Sequence, residues 1–392
     1  MIKSETWSGK KYAVYGLARS GRATVEALLA SGAEVLAWDD RVEAREPFVG
    51  RTAVADPLEA DLTGYAGVVV SPGVPLNTHP IAGRAAKYAV PVIGDIELFA
   101  QARAGLPPHK VVGITGTNGK STTTALTHHI LKTAGVPTTM GGNIGLPILE
   151  QDPLPDGGVY VLELSSFQID LTYSLDCDVA VLLNITPDHL DRYESFEDYA
   201  ASKARLFAMQ SRSNPAVSTD RFNQASRFGD VWQRHPNSVG AAVIDGTTYL
   251  DAINAERQLD WPALQGPHNL ENAAAAIAVA HILDVDQSAI DEGLRTYPGL
   301  PHRMERVRER DGVIFINDSK ATNPEAAAPA LAAYPRVRWI VGGQAKTEEL
   351  GDTARHLGRV VHAYTIGEAG PLFARLLSDA GTAVTTCETL EN

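Results

Sequence analysis

The sequence predicts an α/β protein of two or three domains. Three observations carry that prediction. The 392 residues exceed what one compact core accommodates. Short apolar strands alternate with helical stretches along the chain. Two strand ends run into glycine turns, the second of a kind that opens a phosphate-binding helix.

The first strand covers residues 11–17 and runs into Gly16-Leu17-Ala18-Arg19-Ser20-Gly21. Val25, Leu28 and Leu29 follow at helical spacing up to Ser31-Gly32, and Glu34–Trp38 is a second strand ended by Asp39-Asp40. This βαβ unit predicts a parallel sheet with a right-handed crossover. The G-x-x-x-x-G spacing is looser than a dinucleotide fingerprint. The turn therefore reads either as a nucleotide site, with Asp39 placed for a ribose hydroxyl, or simply as a well-made turn. Residues 67–70 form a third strand ending in Ser71-Pro72-Gly73, and residues 91–94 a fourth. Residues 94–109 read as a helix, followed by the link Leu106-Pro107-Pro108.

Residues 110–124, KVVGITGTNGKSTTT, organise the middle of the chain. A buried strand leads into Gly116-Thr117-Asn118-Gly119, and Lys120-Ser121-Thr122 opens a helix running through Leu126, Ile130 and Leu131 to Gly135. Backbone amides and the helix dipole favour a polyphosphate there. Lys120 is in reach of the outer phosphates, and Ser121 is placed to offer its hydroxyl to Mg²⁺. The common phosphate-loop pattern has glycine where this chain has Ile114, so the match is to a shorter G-x-x-G-K-S form; the alternative is an ordinary strand-to-helix turn.

Beyond it, Met140-Gly141-Gly142-Asn143-Ile144-Gly145 reads as a mobile turn. Strands at residues 159–164 and 179–185 end in Glu163-Leu164-Ser165-Ser166-Phe167-Gln168 and in Asn184-Ile185-Thr186-Pro187-Asp188-His189. Polar residues at strand carboxyl ends are where open α/β sheets bind ligands. Asp245-Gly246 signals a hairpin, and residues 271–283 an alanine-rich helix. A third α/β unit starts near Leu300-Pro301, with strands at residues 313–316, 337–341, 361–366 and 383–386.

A net charge of −13 argues against nucleic acid as a partner, while leaving room for phosphate ligands held locally. Two widely spaced cysteines, Cys177 and Cys387, give no disulfide framework and fit a reducing compartment. No segment is long and apolar enough to span a bilayer, so the expected location is the cytoplasm and no membrane partner is expected. A metal held by phosphates also takes protein ligands, for which Glu163 and His189 are the candidates at strand ends. Lys203, taken alone, reads as a solvated helix lysine.

Together GTNGKST, LELSSFQ, NITPDHLDRY, SKARL, GPHNLENAAAA, GLPHRMERV and NDSKATNP resemble the Mur ligase family of peptidoglycan synthesis, in order and over nearly the whole chain. YGLARSG, SPGVP, GDIELF and GGNIGLP resemble most closely the member that adds D-glutamate. The resemblance implies three domains: a Rossmann-like UDP-substrate domain at residues 1–93, a central P-loop ATPase domain at 94–299 with a mainly parallel sheet, and a Rossmann-like C-terminal ligase domain at 300–392. It implies an ATP-dependent amide ligase using Mg²⁺, two ions, with UDP-MurNAc-L-alanine and D-glutamate as substrates, acting as a monomer. Another Mur-type or folylpolyglutamate-synthase-like ligase, a nucleotide-binding protein without ligase activity and an NAD-linked oxidoreductase are the rival readings.

The resemblance also assigns residues. Arg19, Ser20, Asp39, Asp40, Arg41, Ser71, Pro72 and Gly73 match the uridine-diphosphate site. Asn143, Ser165, Gln168 and His189 lie toward the muramoyl substrate. Ser121, Glu163 and His189 match metal-linked positions, and Lys203 matches a lysine carbamylated in the family, which replaces the solvated reading. Asn272, Arg303 and Asp318 match nucleotide contacts, while Lys320, Thr322 and Lys346 face the amino-acid substrate. Lys120, Lys203, His189 and Lys320 are the residues expected to serve catalysis. Gly342-Gly343-Gln344-Ala345-Lys346 departs from the GGDGK of some relatives. The serine-containing stretch expected to hold the D-glutamate carboxylates is not matched up to Asn392, so the C-terminal domain is expected to be truncated.

Overall fold

The computed structural model describes residues 1–189, 191–218, 255–345 and 347–389. The expected hairpin at Asp245-Gly246, Lys346, and Leu190 of the NITPDHLDRY motif lie outside them. The chain divides into two compact units, Met1–Tyr249 with Ala274–Gly293, and Leu250–Ala273 with Leu294–Asn392.

The first unit holds two five-stranded parallel sheets. One is built from β1 (Lys11–Tyr15), β2 (Glu34–Trp38), β3 (Ala53–Val54), β4 (Tyr65–Val70) and β5 (Val92–Ile93), in the order β3-β2-β1-β4-β5. The other contains β6 (His109–Thr115), β7 (Thr138–Gly142), β8 (Gly158–Glu163), β9 (Val179–Leu182) and β10 (Ala216–Ser218), in the order β10-β9-β6-β8-β7. In each sheet the strand order turns back at the central strand, β1 or β6. Such a reversal opens a crevice at the strands' carboxyl ends.

The inner strands are covered on both faces, which is why they read as continuous apolar runs: all six residues of β8 and the last five of β6 are buried. The helix Arg19–Ala30 packs Val25, Ala27 and Leu28 into the core. It comes so close to the end of β1 that a Cβ on Gly21 would lie 1.8 Å from the Gly16 carbonyl oxygen. The glycine spacing of that turn is thus a packing requirement as well as a candidate ligand signature.

Two sequence expectations are corrected. The helix expected over residues 94–109 stops early, as Asp95–Ala102 with one 3₁₀ turn, Arg103–Gly105, because β6 already begins at His109. The turn expected at residues 140–145 is in part the edge strand β7. Its glycines are there for space, since a Cβ on Gly142 (φ 84°) would sit 2.1 Å from the Glu163 carbonyl oxygen.

In the second unit, β11 (Glu305–Arg310) and β12 (Val313–Asn317) form an antiparallel hairpin, and β13 (Val337–Gly342), β14 (Val360–Ile366) and β15 (Val384–Thr386) a parallel sheet. Leu331, Val360, Ala363 and Leu377 form its core cluster.

The helix Asp95–Ala102 joins the two sheets of the first unit. Glu97 fixes it: one carboxylate oxygen accepts from the amides of Tyr173 (2.7 Å) and Ser174 (2.9 Å), the other from the Ser174 hydroxyl (2.7 Å). Asp95, two residues earlier, is equally buried, but neither of its carboxylate oxygens makes a well-formed hydrogen bond among the described residues. Burial pushes its carboxyl up to about 6, against the pull of the amides of Ile96 and Asp95. A carboxyl raised in the folded state binds its proton more tightly there than in the unfolded chain. Its contribution is therefore full below the unfolded value and is lost as pH rises from about 4 to about 6. Asp95→Asn should consequently stabilise the protein above pH 6 by about 2–3 kcal/mol and change little at pH 4. Urea unfolding at the two pH values checks this; equal stabilities at pH 8 would contradict it.

Candidate active site

The loop after β6 is built around its glycines. Gly116 has φ 153°, and a Cβ there would press on Leu183 at 3.0 Å and on the Asn184 amide at 3.2 Å. Gly119, left-handed at φ 85°, caps the helix Lys120–Thr133. The loop is pinned to the exit of β9. The Thr117 amide donates to the Asn184 carbonyl (2.8 Å), the Asn118 amide donates to Asn184 Oδ1 (2.8 Å), and Asn184 Nδ2 donates to the Asn118 carbonyl (3.1 Å). Lys120 Nζ lies over the loop, donating to the carbonyls of Gly116 (2.9 Å) and Thr117 (2.8 Å). Ser121 and Thr122 fill the first turn of the helix, whose amides have no intrahelical acceptors. This is a preformed anion cradle with a cation at its centre.

β8 runs beside β6, with Ile114 opposite Glu163 in register, so Glu163 leaves the sheet next to the loop. It is buried, and Oε1 accepts from Asn143 Nδ2 (2.9 Å) while Oε2 has no hydrogen-bond partner among the described residues. A buried carboxylate oxygen left bare is costly unless a cation completes it. The donor set fits Mg²⁺, a hard ion that takes oxygen ligands and shares them with phosphates. Among the described residues no cluster of three His, Cys, Asp or Glu side chains could hold a metal alone. A metal at Glu163 would thus also need ligands other than such a cluster.

Lys203 is 2% exposed in the helix Phe196–Ala208, which corrects its reading as a solvated lysine. Its Nζ lies 4.7 Å from the centre of the Tyr199 ring. Burial first, and the charge of Lys120 second, bring the amine down to about 7, with Asp188 and Asp170 pulling the other way. Tyr199 itself shares a hydrogen bond with Thr117 Oγ1 (3.0 Å), tying this helix to the loop.

His189, at φ 53°, sits in the turn after β9. Its amide donates to Asp188 Oδ1 (2.9 Å), and its ring meets the edge of Phe167 at 5.1 Å. Ser165 and Gln168 form a capping box on the short helix Ser166–Asp170, which fixes the direction of the chain leaving Glu163.

The carboxyl ends of β1, β2 and β4 gather the first-domain candidates. The Leu17 amide donates to Asp39 Oδ2 (2.7 Å), and the Arg41 amide (3.0 Å) and Nε (3.2 Å) donate to Oδ1. Burial opposes ionisation of Asp39, but these donors outweigh it and hold the carboxyl below its ordinary value. Asp39 thus braces the turn with both oxygens engaged, while Asp40 accepts from the Tyr15 hydroxyl (2.9 Å). Ser71 donates to the Gly16 carbonyl (2.9 Å), fastening the turn at residues 71–73 to the first glycine loop, and Ser20 lies in the first turn of the helix Arg19–Ala30. Arg19 reaches the Gly145 carbonyl (2.8 Å). A cavity of about 770 Å³ opens here, lined by Arg19, Arg22 and Arg41 with Glu26, Glu43 and Glu150.

In the second unit Asn272 donates to Asn269 Oδ1 (3.1 Å). Asp318 follows directly on β12 and accepts from the Met304 amide (2.9 Å); burial raises its carboxyl, against the pull of that amide and of Arg303. The Lys320 amide donates to the His302 carbonyl (3.1 Å), placing Lys320 and Thr322 in the turn before the helix Pro324–Ala333.

Sequence reasoning passed over Asn184, Tyr199 and Arg192 as site residues. Asn184 stood in a motif already singled out, and Tyr199 precedes Lys203 by one helical turn, the spacing that puts two side chains on one face.

Residues 114–280 match the Mur ligase middle domain, and residues 302–392 the Mur ligase glutamate ligase domain. The UDP-N-acetylmuramoylalanine--D-glutamate ligase of Novosphingobium aromaticivorans is 59% identical, over 96% of this chain and 84% of that protein. The protein of the same name from Zymomonas mobilis is 55% identical, over 100% of this chain and 90% of its own length. Among solved structures, the UDP-N-acetylmuramate-alanine ligase MurC of Thermotoga maritima shares the fold with a TM-score of 0.56 at 17% identity, covering 97% of this chain and 91% of that one. MurF of Acinetobacter baumannii does so with a TM-score of 0.52 at 18% identity, covering 99% and 84%. With its phosphate loop, its parallel sheets and relatives this similar over nearly its whole length, the chain belongs to the Mur ligase family.

Proposed function

We infer that this chain is an ATP-dependent amide ligase that adds D-glutamate to UDP-N-acetylmuramoyl-L-alanine in peptidoglycan precursor synthesis. One observation carries the reading: a phosphate loop and a buried, half-satisfied Glu163 share one crevice, in a chain 55–59% identical to ligases of that name.

The reaction runs in two displacements. A carboxylate oxygen of the L-alanyl group attacks the γ-phosphorus of ATP, ADP leaves, and an acyl phosphate forms. The amine of D-glutamate then attacks the acyl carbon, loses a proton, and the C–O bond to phosphate breaks as the amide forms. The loop amides of residues 116–122 and Lys120 hold the phosphates and oppose the charge gathering on the transferred group. Mg²⁺, when bound, neutralises that same charge. Ser121, Glu163, His189 and a carbamylated Lys203 would hold it, as two ions. A lysine amine adds to CO₂ only when unprotonated, and an amine at about 7 is unprotonated in a large fraction at neutral pH. Carbamylation exchanges a buried cation beside Lys120 for an anion, which relieves the repulsion between the two lysines.

Arg19, Ser20, Asp39, Asp40, Arg41 and residues 71–73 would hold the UDP moiety, with Asp39 acting by bracing the turn. Asn143, Ser165 and Gln168 would orient the muramoyl end. Asn272, Arg303 and Asp318 would serve the nucleotide, and Lys320 and Thr322 the carboxylates of D-glutamate; Lys346 is assigned to them by resemblance alone. The assignment is to three domains at residues 1–93, 94–299 and 300–392, acting as a monomer in the cytoplasm. No helix among the described residues is long and apolar enough to cross a membrane.

Phosphate release with ATP, Mg²⁺ and UDP-MurNAc-L-alanine should require D-glutamate, with L-glutamate, L-alanine and diaminopimelate giving little. Lys120→Ala should lower the rate by about 10³-fold. Equal rates with all four amino acids would overturn the substrate assignment, and an unaffected Lys120→Ala the role of the loop. Lys203→Ala should lose most activity and regain part of it with added short carboxylic acids, which replace the missing carboxylate. Full activity without them would remove the carbamate from the account.

A further inference from the structure

Arg192 has no part in the chemistry above, yet its side chain ties the surroundings of His189 to a turn more than a hundred residues earlier in the chain. The turn carrying both residues is closed by the Arg192 amide donating to the His189 carbonyl (2.9 Å). The guanidinium carbon lies over the Phe167 ring, 4.2 Å from its centre, and Phe167 meets the His189 ring at 5.1 Å and stacks on Tyr193 at 6.0 Å. Arg192 Nη2 then leaves this sheet altogether and donates to the Val74 carbonyl (2.9 Å), with the Pro72 carbonyl at 3.5 Å. Those carbonyls belong to the turn after β4 that contains Ser71 and Gly73. A second tie runs the opposite way, from Asn77 Nδ2 to the Asp191 carbonyl (3.0 Å).

Two loops from different sheets, neither held by a strand ladder at this point, are therefore joined by a reciprocal pair of side-chain donors. A planar guanidinium suits the task, because it stacks on an aromatic face while its edge donates to carbonyls; an ammonium cannot do both.

We propose that Arg192, with Asn77, is a positioning latch that fixes the UDP-binding turn of the first sheet at a set distance from the His189–Phe167 wall of the phosphate-transfer crevice. The substrate spans that distance, its diphosphate at one turn and its reacting carboxylate at the other. This inference rests on the ligase reading above. Misplacing a reacting group by about an ångström costs on the order of a hundredfold in rate. Loss of the latch thus acts on turnover of the UDP-substrate and leaves the loop that holds ATP intact.

The experiment compares the parent with Arg192→Ala and Arg192→Lys. For Arg192→Ala, kcat should fall about 10–100-fold. KM for the UDP-substrate should rise, and KM for ATP should stay within about twofold. Arg192→Lys should recover only part, because it keeps a donor and loses the stack. Hydrogen–deuterium exchange gives a readout independent of catalysis: the turn at residues 71–76 should exchange faster in Arg192→Ala, while β1 and β6 stay as protected as in the parent. A parent active with D-glutamate alongside an Arg192→Ala with unchanged kcat and exchange would overturn the latch and leave the ligase reading standing. A general loss of protection across β1 and β6 would assign Arg192 to stability instead. Failure of the parent to turn over would strike the ligase reading, and the exchange result would still decide whether the two turns are tied.

Discussion

The arrangement depends on a problem of buried charge. Lys120 lies over the phosphate loop, Lys203 is buried close enough to feel its charge, and Glu163 leaves one carboxylate oxygen bare at the end of β8. Lys203 and Glu163 are both buried, and each would be costly to bury alone. Together they define a crevice whose charge balance, in the proposed reading, would be completed by phosphate oxygens at Lys120 and a metal at Glu163. Glycine lets the loop lie against β9, the Asn184 bonds fix its shape, and Tyr199 joins the Lys203 helix to Thr117. The parallel sheet serves mainly to deliver three strand ends to this point.

That logic was partly legible in the sequence. The buried strands β6, β8 and β9 are apolar runs, and Gly-Lys-Ser after β6 carries its own chemistry, so the crevice could be placed without a structure. The edge strand β7 was missed because its glycines look like a turn, whereas they are required by contact with the Glu163 backbone. β11 was missed because Glu305–Arg310 is charged at five of its six positions and lies exposed in a two-stranded hairpin. Burial of Lys203 could not be read from composition, since a helix lysine is ordinarily solvated; only the resemblance pointed to it.

The first sheet teaches a second lesson. Its glycine turn and Asp39 invited a dinucleotide reading with the carboxylate at a ribose. Both oxygens of Asp39 are instead engaged by Leu17 and Arg41, and Gly21 is needed for the close approach of helix to strand. The same signature thus has a local structural cause. Arg192 shows the converse. Nothing in its own motif announces that its side chain reaches a different sheet, because that contact exists only once both sheets are folded.

The central claim is that the bare oxygen of Glu163 is a metal ligand. Electron paramagnetic resonance of Mn²⁺ in the presence of ATP tests it, in the parent and in Glu163→Gln, which keeps the shape and the bond to Asn143 while removing the charge. The account predicts that Glu163→Gln binds Mn²⁺ about 10–100-fold more weakly. Equal Mn²⁺ affinity in the two proteins would contradict it.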